Sequence, residues 1–166
     1  TQLFNLRENP HELLAEHHQG LIVLSGCLGS EVNQHLLRGD EDAARRVMGG
    51  FRDLLGADRY LVELQDHGIP EQRRVWPMLE RLAGELGLRT VITNDTHYTS
   101  AEDVAAHDAL LCIQTGSKLS DPGRFRFDSD QFFVKTAAQM RAAFPDHGHA
   151  LDATLEVAER CDARIE

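Results

Sequence analysis

The sequence predicts an α/β fold in which short parallel strands alternate with helices packed outside them. Three observations carry this reading. The apolar runs "LIVLSGC", "RYLVELQDH" and "RTVITNDTH" are too short for helices and are separated by longer segments of helical periodicity. Within each run nearly every position is apolar, as expected of strands covered on both faces. The intervening segments carry their own start and stop residues, so the pattern reads as successive βαβ units. With 166 residues, 42% of them apolar, the chain has material for one ordinary domain with a buried core.

Taken in order, Asn9 is placed to cap a first helix with Pro10 at its first position and Glu12 closing the box, and Gly20 to stop it. "LIVLSGC" is the first strand. Ser30 caps a short helix running through Leu36 and Leu37 to Gly39, and Asp40 caps the next, which sets Val47, Phe51, Leu54 and Leu55 on one face. "RYLVELQDH" is the second strand. The helix after it carries Val75, Met78, Leu79, Leu82 and Leu86 to a stop at Gly87, with Pro77 expected to kink or restart it. "RTVITNDTH" is the third strand, and Ser100 with Asp103 forms a capping pair for the helix "AEDVAAHDALLCIQ". Beyond Gly116 comes a polar loop, "SKLSDPGRFRFDSD". The run "QFFVK" predicts a short strand leading to a helix capped by Thr136 with Gln139, and a last amphipathic helix uses Leu151, Leu155 and Ala158. There is no internal repeat, low-complexity segment or obvious linker.

Composition excludes several functions. Seventeen Lys and Arg against 27 Asp and Glu give a formal charge of -10, the wrong sign for an autonomous nucleic-acid binder, which must displace counterions from phosphate with a cationic face. Any contact with DNA is then local or made by other parts of a longer chain. "LIVL" and "ALLCI" fall far short of the roughly 20 apolar residues that span a bilayer, so no membrane partner is expected. No secretory start is visible, and the three cysteines, Cys27, Cys112 and Cys161, are odd in number and far apart. Reduced thiols in a cytoplasmic protein are the expectation.

In parallel α/β folds the chemistry gathers at the carboxyl ends of the strands. Here those ends offer Cys27, then Glu63 with Asp66 and His67, then Asp95 with His97, all metal-ligand residue types. Asp95 and His97 are two apart and share a face while the strand lasts, so they could grip one metal from a rigid element. The alternative is that Asp95 caps a turn and His97 is an ordinary loop residue. Cys27 lies in the tight turn "SGCLG", where it could ligate a metal, serve as a small buried hydrophobe, or act as a nucleophile with His97 and Asp95. Glu63 is either a strand carboxylate near a metal or an Arg partner, or part of a solvated loop end. His107 shares a helical face with Val104 and Leu111 and reads as a hydrogen-bonded core histidine before a ligand; His17 with His18, and His147 with His149, read as solvated pairs.

In order, "LIVLSGCLGSEV", "ELQDHGIPEQRRV", "TNDTHY", "AHDALLCIQTG" and "RFRFDSDQFFVKT" resemble the PHP (polymerase and histidinol phosphatase) domain of bacterial replicative DNA polymerase III alpha subunits. The final "TLEVAERCDARIE" resembles the helix leading out of that domain toward the polymerase palm. The resemblance implies part of a distorted TIM-like (β/α)7 barrel with a divalent metal cluster at its strand ends. Carried over residue by residue, it makes Cys27, Asp95 and His97 metal ligands, with Glu63, His67 and His107 near the site. Zinc is the first expectation because thiolate favours it, with manganese or iron at other positions. The family's first strands and their histidine and acidic ligands have no counterpart here, so residues 1–166 are expected to be the C-terminal portion of the domain, with no palm. Such a portion is expected to hold metal poorly or not at all and to self-associate through exposed edges. For the complete protein the resemblance implies DNA-directed DNA polymerase activity, a phosphoesterase-like PHP module with 3′–5′ exonuclease proofreading, DNA held by other domains, and holoenzyme subunits as partners. The alternative is a non-catalytic scaffold that braces the polymerase or binds a proofreading subunit.

Overall fold

Three short runs of aliphatic residues build the sheet around which everything else is arranged. In the computed structural model, which describes residues 10–163, they are β1 (Val23–Leu24), β2 (Tyr60–Leu64) and β3 (Arg89–Ile92). All pair in parallel in the order β1-β2-β3, with Val23 opposite Tyr60 and Leu61 opposite Arg89. Backbone bonds from Ser25 N to Leu61 O and from Thr93 N to Leu64 O carry the ladder one step past the strands. The parallel α/β expectation therefore holds, as a three-stranded sheet among the described residues.

The helices are α1 (Pro10–His17), α2 (Glu31–Leu37), α3 (Glu41–Leu55), α4 (Pro70–Leu86), α5 (Val104–Thr115), α6 (Ala137–Ala143) and α7 (Gly148–Arg160), with a 3₁₀ turn at Ala101–Asp103 before α5. Alternation along β2 separates two apolar clusters. Tyr60, Val62 and Leu64 join Ile92 against α2, α3 and α4, using Val32, Leu36, Met48, Leu55, Val75, Leu79 and Leu82. Leu61 and Val91 face the other way, with Ile22, Leu24, Ala153 and Val157. Because α7 gives Leu151 to the first cluster and Ala153 to the second, it straddles β3 and covers that edge of the sheet, where bare backbone would otherwise invite pairing.

The local signals behave as the chemistry of caps requires. Ser30 and Asp40 accept backbone N–H groups of Asn33 and Ala43, and both Ser100–Asp103 and Thr136–Gln139 form reciprocal boxes. Gly87 and Gly116 end their helices at φ of +65° and +66°, where a side chain is disfavoured. Four expectations need correction or fall outside the description. The cap at Asn9 lies outside the described residues. Pro77 does not restart α4, which continues through it to Leu86, held by the buried row Val75, Leu79 and Leu82. "QFFVK" forms no strand: it touches the sheet region through one parallel bridge, Tyr98 to Phe133, because side chains occupy its neighbouring carbonyls. In α7, Leu155 is 63% exposed and the buried residues are Ala150, Leu151 and Ala153.

Candidate functional site at the strand ends

The loops after the three strands converge at one end of the sheet, bringing Cys27, Glu63, His67, Asp95 and His97 to the same side of the fold. Their surroundings differ sharply. Glu63 crosses between strands: its Oε2 accepts the Gly26 N–H at 3.0 Å, and its Oε1 accepts Gln65 Nε2 at 2.9 Å and the Thr93 hydroxyl. Its own N–H donates to Ser25 Oγ at 2.8 Å. This carboxylate ties the ends of all three strands together.

His67 is deeper, at 2% exposure, with its ring stacked on Phe132 at 4.0 Å between centroids. Nε2 lies 2.7 Å from the Asn94 carbonyl, an acceptor only, so that nitrogen carries the proton. Nδ1 then accepts Gln72 Nε2 at 2.8 Å, while Gln72 Oε1 takes the His67 N–H at 2.8 Å. Both ring nitrogens are thus committed, and burial pushes the imidazole below its usual 6.5. The neighbouring Asp66 is held in the loop by Gly68 N–H and by Arg73 at 3.1 Å.

The end of β3 is more open. The strand stops at Ile92, so Asp95 and His97 stand in the following loop, and the shared-face argument that assumed a continuing strand does not apply. They meet by another route. Asp95 adopts φ +42°, a left-handed conformation that short polar side chains tolerate, and it is the one non-glycine residue with positive φ among those described. The turn brings Asp95 Oδ1 to 3.5 Å from His97 Nε2, with the two side chains 34% and 36% exposed. His97 also packs edge-on against Phe127 and beside His107, with centroids at 4.8 and 5.4 Å. His107 makes ring contacts with Tyr98 and Phe127 in place of the expected core hydrogen bond, and its pKa is lowered by partial burial and by His97. His147 is half-buried and pairs with Glu80 at 3.0 Å, while His149 is exposed.

Sequence reasoning missed the amides. Asn94 donates to the carbonyls of Phe133 and Gln131, accepts Lys135 Nζ at 2.9 Å, and lends its own carbonyl to His67, so it anchors the peptide just before Asp95. Lys135 lies over the Phe133 ring at 4.4 Å, and burial lowers its pKa. Ser129 closes the ring of contacts by donating to the His67 carbonyl at 2.6 Å. Neither Asn94 nor Gln72 stands out in a sequence, because an amide becomes a hub only through the tertiary partners it finds.

Cys27 is exposed, in the turn after β1. In the sheet β2 lies between its strand and β3. Donors to one zinc ion sit at about 2.0–2.3 Å from it and hence close to one another. Among the described residues no group of three or more His, Cys, Asp or Glu side chains is arranged to hold a metal ion. Asp95 and His97 are two suitable donors, but the described residues do not by themselves make a complete site.

Comparison with known proteins gives this geometry its context. Residues 2–67 match the PHP domain family. The chain is 48% identical over 158 residues to the DNA polymerase III subunit alpha of Deinococcus radiodurans, covering 93% of this chain and 12% of that protein. The corresponding subunits of Thermus aquaticus and Treponema pallidum are 45% and 43% identical, each over 93% of this chain and 13% of the relative. The chain thus spans about an eighth of the length of these curated relatives. No helix among the described residues is long and apolar enough to cross a membrane.

Proposed function

We propose, from the premise that this chain is homologous over nearly its whole length to one segment of DNA polymerase III alpha subunits, that it is the C-terminal portion of the PHP domain of a cytoplasmic replicative DNA-directed DNA polymerase. The observation that carries this reading is the 48% identity along 93% of the chain. In the complete domain these three strands belong to a (β/α)7 barrel. Asp95 and His97 form one side of a divalent metal site there, zinc first by the thiolate of Cys27 on the same rim, with manganese or iron as alternatives, and with the remaining ligands supplied by other parts of the parent. The complete domain is a phosphoesterase-like module acting on a phosphodiester at a 3′ DNA end, in the manner of proofreading. DNA is held by other domains, as the charge of -10 requires. Other holoenzyme subunits are the remaining partners.

A second reading, in which the domain braces the polymerase or binds a proofreading subunit without hydrolysis, is favoured by a different observation: Glu63 and His67 spend their acceptors on protein donors and so are committed to holding the described fold together. Elemental mass spectrometry on the purified full-length parent separates the two when combined with hydrolysis of a 3′-labelled single strand. Metal bound in wild type, lost in Asp95→Asn/His97→Ala and accompanied by loss of hydrolysis, supports the phosphoesterase reading. Metal without hydrolysis favours the brace, and metal unchanged in the double variant overturns the ligand assignment.

A further inference from the structure

Beneath Cys27, between α2, the end of β2 and α4, lies a narrow cleft lined among others by Asn33, Glu63, Gln65, Gln72 and Trp76. Three of these residues bury a polar atom without a hydrogen-bond partner among the described residues: Asn33 Oδ1, Gln65 Oε1 and Trp76 Nε1. Asn33 and Gln65 are 3% and 8% exposed, so bulk solvent does not serve them. Nor would turning the amides over relieve them. Asn33 Nδ2 donates to the carbonyls of Cys27 at 2.9 Å and Gly26 at 3.3 Å, and Gln65 Nε2 donates to Glu63 Oε1 at 2.9 Å and Thr93 Oγ1 at 3.2 Å. Those acceptors fix the nitrogens and therefore the oxygens. Buried polar atoms are almost always paired, so three orphans lining one cleft point to a partner that the described residues do not supply.

We infer that this cleft is a binding site for one ordered water, which accepts a hydrogen bond from Trp76 Nε1–H and donates one each to Asn33 Oδ1 and Gln65 Oε1. The count of donors and acceptors matches a single water, which typically makes about three bonds when buried. The narrowness of the cleft suits a water-sized occupant better than a larger ligand. A cation would suit the two amide oxygens, but the indole N–H presents a positive edge to it, and this decides the chemical class. The water links α4 through Trp76 to the Gln65 amide, which in turn holds the Glu63 carboxylate across the strand ends. The inference is independent of whether Asp95 and His97 bind metal.

The test is a crystal structure of the full-length parent at a resolution that shows ordered solvent, for wild type and Trp76→Phe. A single peak within hydrogen-bond distance of all three atoms, weakened or lost in Trp76→Phe, supports the site. A dry cleft, a peak with the short, many-oxygen coordination of a metal ion, or Trp76 Nε1 bonded to another segment of the parent each overturns it. Where a variant fails to fold, the wild-type density alone decides.

Discussion

The ends of β2 and β3 carry the same chemistry in their side chains, a carboxylate and an imidazole each, and use it in opposite ways. At the end of β2, Glu63 accepts from three donors on three segments, and in the loop beyond it His67 has one ring nitrogen donating and the other accepting. After β3, Asp95 and His97 face one another at 3.5 Å, and about a third of each side chain is open to solvent. The first pair has spent its lone pairs on holding the fold; the second leaves its side chains partly open to solvent. Residue type at a strand end therefore says little, and the fate of the lone pairs says most. The strand ends are legible as chemical positions, but which end is structural depends on partners such as Gln72 and Asn94.

The sharpest break of this comparison is His67→Ala. It leaves the Asn94 carbonyl and the Gln72 amide buried and unpaired, at about 1–3 kcal/mol each, and empties the space under Phe132. A local loss of about 4 kcal/mol is expected, read as roughly a thousandfold faster amide exchange over 64–72 and 92–95 in the full-length parent. Exchange left unchanged would make His67 a bystander. Acid probes the same residue without mutation. Because burial holds its folded pKa below 6.5, the unfolded chain takes up the proton first. Protection is therefore flat above pH 6.5 and falls below it, by up to about 1.4 kcal/mol per pH unit until the folded value is reached. His67→Gln should reduce that slope, the remainder coming from His107, whose imidazole is also held below its usual value by burial. Next in size is Glu63→Gln, which turns one acceptor of the bridging carboxylate into a donor facing donors, for a loss of about 1–2 kcal/mol.

How much of this could be read beforehand follows from the range of each signal. Helix caps and strand cores are local, so Ser30, Asp40, Thr136 and the runs around Val62 and Val91 are legible. The failures are non-local. "QFFVK" has strand composition, but Asn94 takes the carbonyls of Gln131 and Phe133, and Lys135 also bonds Gln131, so a ladder is pre-empted by side chains. Leu155 fits a helical stripe, yet α7 packs at the edge of β3 and turns that position outward. The Asp95–His97 pairing was anticipated on a false premise, a strand continuing past Ile92. The left-handed turn at Asp95 delivers the contact instead.

That turn supplies the mildest and most discriminating test. Asp95→Gly removes the steric penalty of φ +42° while giving the unfolded chain more freedom, and these effects nearly cancel. The expected change is under about 1 kcal/mol in either direction, seen as nearly unchanged exchange over 93–98. The variant has nevertheless lost the carboxylate, so any metal retained by the parent through this loop should fall with it. A loss of stability comparable to that of Glu63→Gln would mean that Asp95, too, is a structural carboxylate, and the distinction between the two strand ends would collapse. Stability kept while metal is lost would instead show that this side chain is held in a strained turn for the sake of what it binds.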